Sequence, residues 1–309
     1  MSSGFRVPRS GFQVLAAVLL TAATAGAQGR FSNARTETHA AAQGSDAIAR
    51  EVRAIAARGS AAWIGYRVPM IAGPRHMCCY DSISDANSCC GTCRLENGSG
   101  ITMTTGDMQD RHGTRITLEP PTEFLILARV ENGAVMRLRT FTPDCDVDAG
   151  NMSVVWLTDV RPADSVAWLS TLVTAAGTDR EQTSRVADPA LAALAMHTEA
   201  AALAQLIHFA KEAQTTKLRG QALFWLAQRA GEQATATIAN AIMNDPDTDV
   251  KKKAVFALSQ LPKDEGIPKL IEVARTNRNP EVRKQAYFWL GQTHDPRAVA
   301  FFEEILSKR

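Results

Sequence analysis

The apolar residues of this chain change rhythm partway along it. Between residues 60 and 160 they come in short bursts with the length and alternation of strands. Trp63 to Val68 reads as one strand and Met152 to Val160 as another. Phe124-Leu-Ile-Leu-Ala-Arg-Val130 and Ala134-Val-Met-Arg-Leu-Arg-Thr-Phe141 flank Glu131-Asn132-Gly133. Asn-Gly between two such runs predicts a tight hairpin, because both residues accept the positive φ of its turn. Two helices frame the strands. Ser45 can cap the first, which has Ile48, Val52 and Ile55 on one face and Gly59 at its end. Pro162-Ala-Asp-Ser165 opens the second, which runs to about Val173. Residues 28–44 are polar and patternless and predict a flexible leader. Residues 45–176 are therefore expected to form a small α+β domain.

From residue 186 the period becomes helical, and the sequence repeats. Leu218-Arg-Gly-Gln-Ala-Leu-Phe-Trp-Leu-Ala-Gln228, Val250-Lys-Lys-Lys-Ala-Val-Phe-Ala-Leu-Ser-Gln260 and Val282-Arg-Lys-Gln-Ala-Tyr-Phe-Trp-Leu-Gly-Gln292 follow one another at a spacing of 32. Ala222, Ala254 and Ala286 align, as do Leu226, Leu258 and Leu290. A degenerate copy upstream puts Ala190 and Leu194 in the same columns. Each copy has a second helix, whose column reads Leu206, Ile238, Leu270 and Phe302. Two helices per repeat, four times over, predict an α-solenoid over residues 186–309, joined by a linker at 177–185.

One column breaks the amphipathic rule. At 100° per residue, Phe256 falls about 150° from the centre of the face made by Ala254, Ala257, Leu258 and Leu261. Phe224 and Phe288 occupy the same place in their repeats. These three residues either pack laterally between neighbouring first helices or form a ladder that meets a partner. Gln228, Gln260 and Gln292 accompany them as candidate partner-binding residues, and Arg219, Lys251 and Arg283 make a basic stripe.

These segments resemble the HEAT-repeat family, in the short form also seen in phycobilisome lyases. Asp249-Val250-Lys251 with Ala254 and Leu258 carries the resemblance, as does Glu281-Val282-Arg283 with Ala286 and Leu290-Gly291. The resemblance covers residues 186–309. It implies a protein-interaction scaffold, and it implies that the basic column mostly pairs with acidic residues of neighbouring turns. A contact with an acidic partner is the alternative for that column. Bilin-lyase activity is not implied, since many unrelated proteins share the repeat.

Composition sharpens the division. From residue 28 to 180 there are 15 Arg, no Lys and 17 acidic residues; from 181 to 309 there are 9 Lys, 8 Arg and 15 acidic residues. The whole chain carries 34 basic and 32 acidic residues, a net charge of +2. That near-neutrality argues against nucleic acid as a partner. Arg6 and Arg9 precede an apolar run from Phe12 to about Ala23, followed by Ala25-Gly26-Ala27. This layout predicts a signal peptide over residues 1–27, cleaved near Ala27, and hence a periplasmic or secreted protein. The run is shorter than the roughly 20 apolar residues a membrane span needs, and no later segment reaches that length.

The six cysteines, Cys78, Cys79, Cys89, Cys90, Cys93 and Cys145, all lie in the first domain. In an oxidising compartment such a cluster reads as disulfides. Vicinal cysteines rarely bond each other, and five of the six sit within residues 78–93. If all are oxidised, at least one must reach Cys145. Cys90-Gly-Thr-Cys93 also has the spacing of a redox pair or of zinc ligands. Asp144-Cys-Asp-Val-Asp-Ala-Gly150 has acidic residues at alternate places, as calcium loops do, but its Gly is one place late and Val155 stands where a Glu belongs. A turn between strands is the simpler reading. The six His are scattered, and phosphate-loop, dinucleotide, nucleophile-elbow and zinc-protease motifs are absent.

The sequence thus predicts a multidomain α+β protein, with a disulfide-stapled α+β domain followed by an all-α HEAT-like solenoid. The expected function is an exported, non-enzymatic scaffold that binds a protein or peptide through the repeats. No cofactor, metal or catalytic residue is assigned. The alternative is a thiol-disulfide redox or metal-binding protein with its site in the Cys-rich domain.

Overall fold

The structure, a computed structural model, describes residues 29–42, 44, 46–72, 93–96, 120–143, 145–229 and 231–307. Its centre is a five-stranded mixed sheet. In chain order the strands are β1 (Arg30–Ser32), β2 (Arg35–Ala40), β3 (Ala62–Pro69), β4 (Cys93–Arg94), β5 (Glu123–Glu131), β6 (Ala134–Phe141), β7 (Asp146–Asp148) and β8 (Ser153–Thr158). The large sheet runs β2-β8-β3-β5-β6, and a small one runs β1-β7-β4. β8 lies parallel to both β2 and β3, whereas β3, β5 and β6 are antiparallel.

The long apolar run of β5 has a direct cause. Phe124, Ile126, Ala128 and Val130 point into the main core with the helices. Leu125 and Leu127 point the other way, into a second core with Trp63, Phe141, Cys145, Val147 and Trp156. A strand covered on both faces has no reason to alternate with polar residues. Gly65 is needed at the crossing of these layers: a Cβ there would come within 2.8 Å of Leu127 and 2.9 Å of Trp156. The hairpin forms at Asn132-Gly133, with φ of 49° and 79°.

The short segment 93–96 is held against this second face by arginines. Arg137 donates to the Leu95 carbonyl (3.1 Å) and Arg139 to the Arg94 carbonyl (2.6 Å). Glu96 accepts from Trp63 Nε1 at 2.6 Å and from Arg129 Nε at 3.1 Å. Part of the Cys-rich stretch is thus the strand β4, with Cys93 opposite Val147. Cys145 is buried and disulfide-bonded. Cys78, Cys79, Cys89 and Cys90 lie outside the described residues, as does the side chain of Cys93.

On the other face sit α1 (Ala47–Ala57) and α2 (Pro162–Ala175). Ile48, Val52 and Ile55 are buried as the spacing predicts, and Gly59 ends the helix with φ of 71°. Ser45, the expected cap, lies outside the described residues. Tyr66 seats α2 on the sheet: its hydroxyl meets Ser165 Oγ at 3.0 Å, and its ring meets Trp168 edge-on. Burial raises the Tyr66 phenol pKa.

Two segments depart from expectation. Residues 35–40, placed in a flexible leader, form the edge strand β2 on β8. Its side chains are mostly exposed and polar, so the apolar signal is missing; backbone pairing with a distant strand makes it. Glu37 pairs with Arg58 at 2.6 Å and His39 with Glu51 at 3.0 Å, tying it to α1. The expected linker 177–185 is itself helical from Arg180. Asp179 caps a short helix, α3 (Arg180–Gln182), that runs through a π turn (Thr183–Ala187) into α4 (Asp188–Met196). The π turn packs on β6, and α4 packs on α2 and β6, so the main core continues without a break from the sheet into the helices.

The remaining helices pair in order: α4 with α5 (Ala200–Glu212), α6 (Thr216–Arg229) with α7 (Glu232–Asn244), α8 (Thr248–Ser259) with α9 (Lys263–Thr276), and α10 (Pro280–Gln292) with α11 (Pro296–Ser307). The columns Ala222, Ala254, Ala286 and Leu226, Leu258, Leu290 are buried throughout. Leu206, Ile238 and Leu270 are buried too, but in the last repeat it is Phe301 that is buried while Phe302 is half-exposed.

Candidate functional site

Three first helices, α6, α8 and α10, present the candidate site. Their starts are fixed locally. The Asp247 carboxylate accepts from the backbone N–H of Asp249 (2.8 Å) and Val250, and the Asn279 side chain accepts from Glu281 N (3.0 Å). Asp247 rather than Asp249 is thus the cap of α8; Asp249 lies in the first turn and pairs with Lys252. With the Ala and Leu columns in the core, the rotation of each helix leaves its Phe away from that core.

The rings meet along the array. Phe224 and Phe256 stack almost in parallel, with centroids 5.8 Å apart and planes 3° apart. Both are half-buried. Beyond Phe256 the next ring is Trp289, at 4.8 Å, and Phe288 sits edge-on to Trp289 at 5.0 Å. Trp225 closes the other end, edge-on to Phe224 at 5.1 Å. The result is one continuous strip, Trp225-Phe224-Phe256-Trp289-Phe288. Phe288 is 54% exposed. The Phe column alone therefore gives an incomplete picture: Trp289, from the neighbouring column, is the third rung. Its signal is visible in the sequence, since Phe-Trp recurs at 224–225 and 288–289. Trp289 Nε1 is buried with no acceptor among the described residues.

The glutamines lie one turn beyond each Phe, on the same helix side. Gln260 and Gln292 are exposed, and Gln228 is half-buried. Gln260 Nε2 donates to Ser259 Oγ at 3.1 Å.

The basic stripe faces inward to the chain itself. Arg219 donates to Asp245 (3.0 Å) and to the Ala213 carbonyl (3.0 Å) at the end of α5. Lys251 Nζ donates to the Met243 carbonyl near the end of α7 (3.0 Å). Arg283 donates to the Asn277 carbonyl at the end of α9 (2.7 Å). Each cation thus caps the helix that precedes it, satisfying carbonyls left open there. Among the described residues, only Arg219 of the three adds an acidic partner.

Where the array meets the sheet, His197 is fully buried against Phe124, with ring centroids 5.9 Å apart. Neither ring nitrogen has a hydrogen-bond partner among the described residues. Burial, and then the Arg229 charge, push its pKa down to about 4. Arg229 donates to the His197 carbonyl at 2.7 Å, closing the end of α4.

Of the acidic loop, Asp144 lies outside the described residues, and Asp148 is occupied in the turn, accepting from Asn33 Nδ2 (3.1 Å) and Gly150 N (2.9 Å). Among the described residues, no group of three or more His, Cys, Asp or Glu gathers as metal ligands. No helix among them is long and apolar enough to cross a membrane.

The family model described as HEAT repeats matches residues 203–287 and again 235–309. Among solved structures, the chain is similar to one titled as the complex of CpcE and CpcF of phycocyanin lyase from Nostoc sp. PCC7120. Identity is 18%, the match covers 46% of this chain and 90% of that one, and the TM-score is 0.36. No curated protein matches the chain.

Proposed function

We propose that this chain, which carries HEAT repeats over residues 203–309, is an exported, non-enzymatic scaffold that binds a protein or peptide along its first helices. The observation that carries the reading is the continuous aromatic strip from Trp225 to Phe288, partly open to solvent. Rings in a row cover apolar side chains, and the parallel row of Gln228, Gln260 and Gln292 offers donors and acceptors that suit a peptide backbone. Arg219, Lys251 and Arg283 support the array rather than contact the partner.

In this reading residues 1–27 direct export and are removed. The sheet-bearing region from residue 45 to 176 is a disulfide-stapled head, with Cys145 bridged into the 78–93 cluster. The burial of Cys145 supports a structural role for that sulfur. The test of the scaffold pairs two readouts on Phe288→Ser: thermal stability, and binding of whatever protein co-purifies with the exported chain. Unchanged melting with lost binding supports the strip as the site. Unchanged binding refutes it. Titrating thiols in the native, unreduced protein decides the head: no free thiol agrees with staples, and a reactive Cys90/Cys93 pair contradicts them.

A further inference from the structure

The rings of the strip have a charged border on one side only. Lys252 and Lys253 stand four and three residues before Phe256, and Lys284 four before Phe288, one turn along the same helix sides. On α6, α8 and α10 no Asp or Glu stands within one turn of Trp225, Phe224, Phe256, Trp289 or Phe288. The acidic residues of these helices, Asp249 and Glu281, both lie in first turns. Lys252 takes Asp249 at 3.0 Å. Lys253 lays its stem across Gly220 of α6, where a Cβ would overlap it, and its Nζ donates to the Thr216 carbonyl at 3.3 Å. Lys284 is exposed, with no ion pair among the described residues. An ammonium has three donors, so at most one such contact apiece leaves the others to a ligand. The whole layer has the same sign. Helices α6, α8 and α10 carry 8 basic and 2 acidic residues, whereas α7, α9 and α11 carry 4 basic and 6 acidic ones. Positive potential thus lies on the side that shows the rings.

We propose that the occupant of the strip is an acidic segment of a partner protein, with apolar side chains on the rings and carboxylates on the row Lys252, Lys253 and Lys284. This rests on the scaffold reading above and adds the partner's chemistry. The two borders divide the work. Gln228, Gln260 and Gln292 meet the backbone of the segment, and the lysines select its charge. These lysines are not the predicted stripe, whose Arg219, Lys251 and Arg283 turn to carbonyls of their own array. Nucleic acid, the other polyanion, fits the rings less well. Phe224 and Phe256 stack on each other, so no ring face between them is free for a base.

Selection of short peptides from an unbiased display library on the full chain tests this, with oligo(dT) as the nucleic-acid probe. The enriched peptides are expected to combine net negative charge with aromatic or aliphatic residues. For such a peptide, Phe288→Ser should weaken binding, which reads the strip itself. The double variant Lys252→Glu, Lys284→Glu should weaken it about tenfold at low salt. The same peptide with its acidic residues changed to Lys should bind that double variant better than the wild type. Unchanged helix content keeps the comparison free of misfolding. Enriched peptides that need Phe288 but are neutral or basic, or that ignore the double variant, overturn the proposal and leave the strip as a binding site. Oligo(dT) binding as tightly as the best peptide overturns it too. If no enriched peptide depends on Phe288, the scaffold reading falls with it.

Discussion

The sheet half and the repeat half solve the same problem, burying apolar area, by opposite routes. The sheet joins residues far apart in sequence: β2 pairs with β8 and β3 with β5, across most of the head. Its order depends on crossing layers such as Gly65 under Trp156. The repeats join only neighbours, and the same 32-residue column serves each pair in turn. A sheet of this kind is lost as a whole when its centre is damaged. A column can be core in one repeat and surface in the next, as Val255 and Tyr287 show. Local, periodic contact thus leaves spare surface on the array, and the aromatic strip is of that kind.

Six substitutions sharpen this contrast. The largest effect belongs to Trp156→Ala, which empties the second core between Trp63, Leu127 and Val154; about 3–5 kcal/mol should be lost in denaturant unfolding. A loss under 1 kcal/mol would mean that the two-layered sheet does not govern the head. Next comes the joint between the halves. The folded His197 has a pKa of about 4, below an ordinary value near 6.5. The unfolded chain therefore takes up the proton first. The contribution of neutral His197 is complete above about pH 6.5 and falls away as pH drops toward 4, by up to about 3 kcal/mol. His197→Leu should flatten that part of the stability profile relative to wild type; parallel profiles for the two proteins would reject the buried neutral imidazole.

The basic stripe should split by burial. Arg219 and Asp245 are 13% and 6% exposed at the side chain, so Arg219→Ala strands a buried carboxylate and should cost about 2–4 kcal/mol. Lys251→Ala removes one exposed helix-end contact and should cost about 0.5 kcal/mol. Equal costs, read from thermal melts of the two variants, would contradict the capping account. The smallest effect is expected at Phe288→Ser, within about 0.5 kcal/mol of wild type, because the ring is mostly in solvent. Phe256→Ser, with rings stacked on both sides, should cost clearly more.

The sequence was readable where the apolar pattern is local. Asn132-Gly133 announces its hairpin, and Ile48, Val52 and Ile55 announce a helix face. The repeat columns announce the array. It was not readable where pairing is distant. β2 has no large apolar residue to betray it, because an edge strand with polar side chains is held by backbone bonds to β8. The helical join from Arg180 onward was hidden by its polar residues, and it becomes helix only through Asp179 and the packing of Val186 and Ala187 on the sheet. At the candidate site, helical angles put the Phe column outside the hairpin core. They did not find Trp289 between Phe256 and Phe288, because which of two adjacent aromatics completes a stack is set by how α8 and α10 pack, and one helix alone does not contain that.

The central claim, that a partner lies along the aromatic strip, is tested most directly by placing a photo-crosslinking residue at position 288 of the exported chain in its own cells. Glu272, exposed on the second-helix layer, serves as the control position. The account predicts a discrete protein adduct from position 288 and none from position 272. No adduct at 288, or the same adducts from both positions, would contradict it.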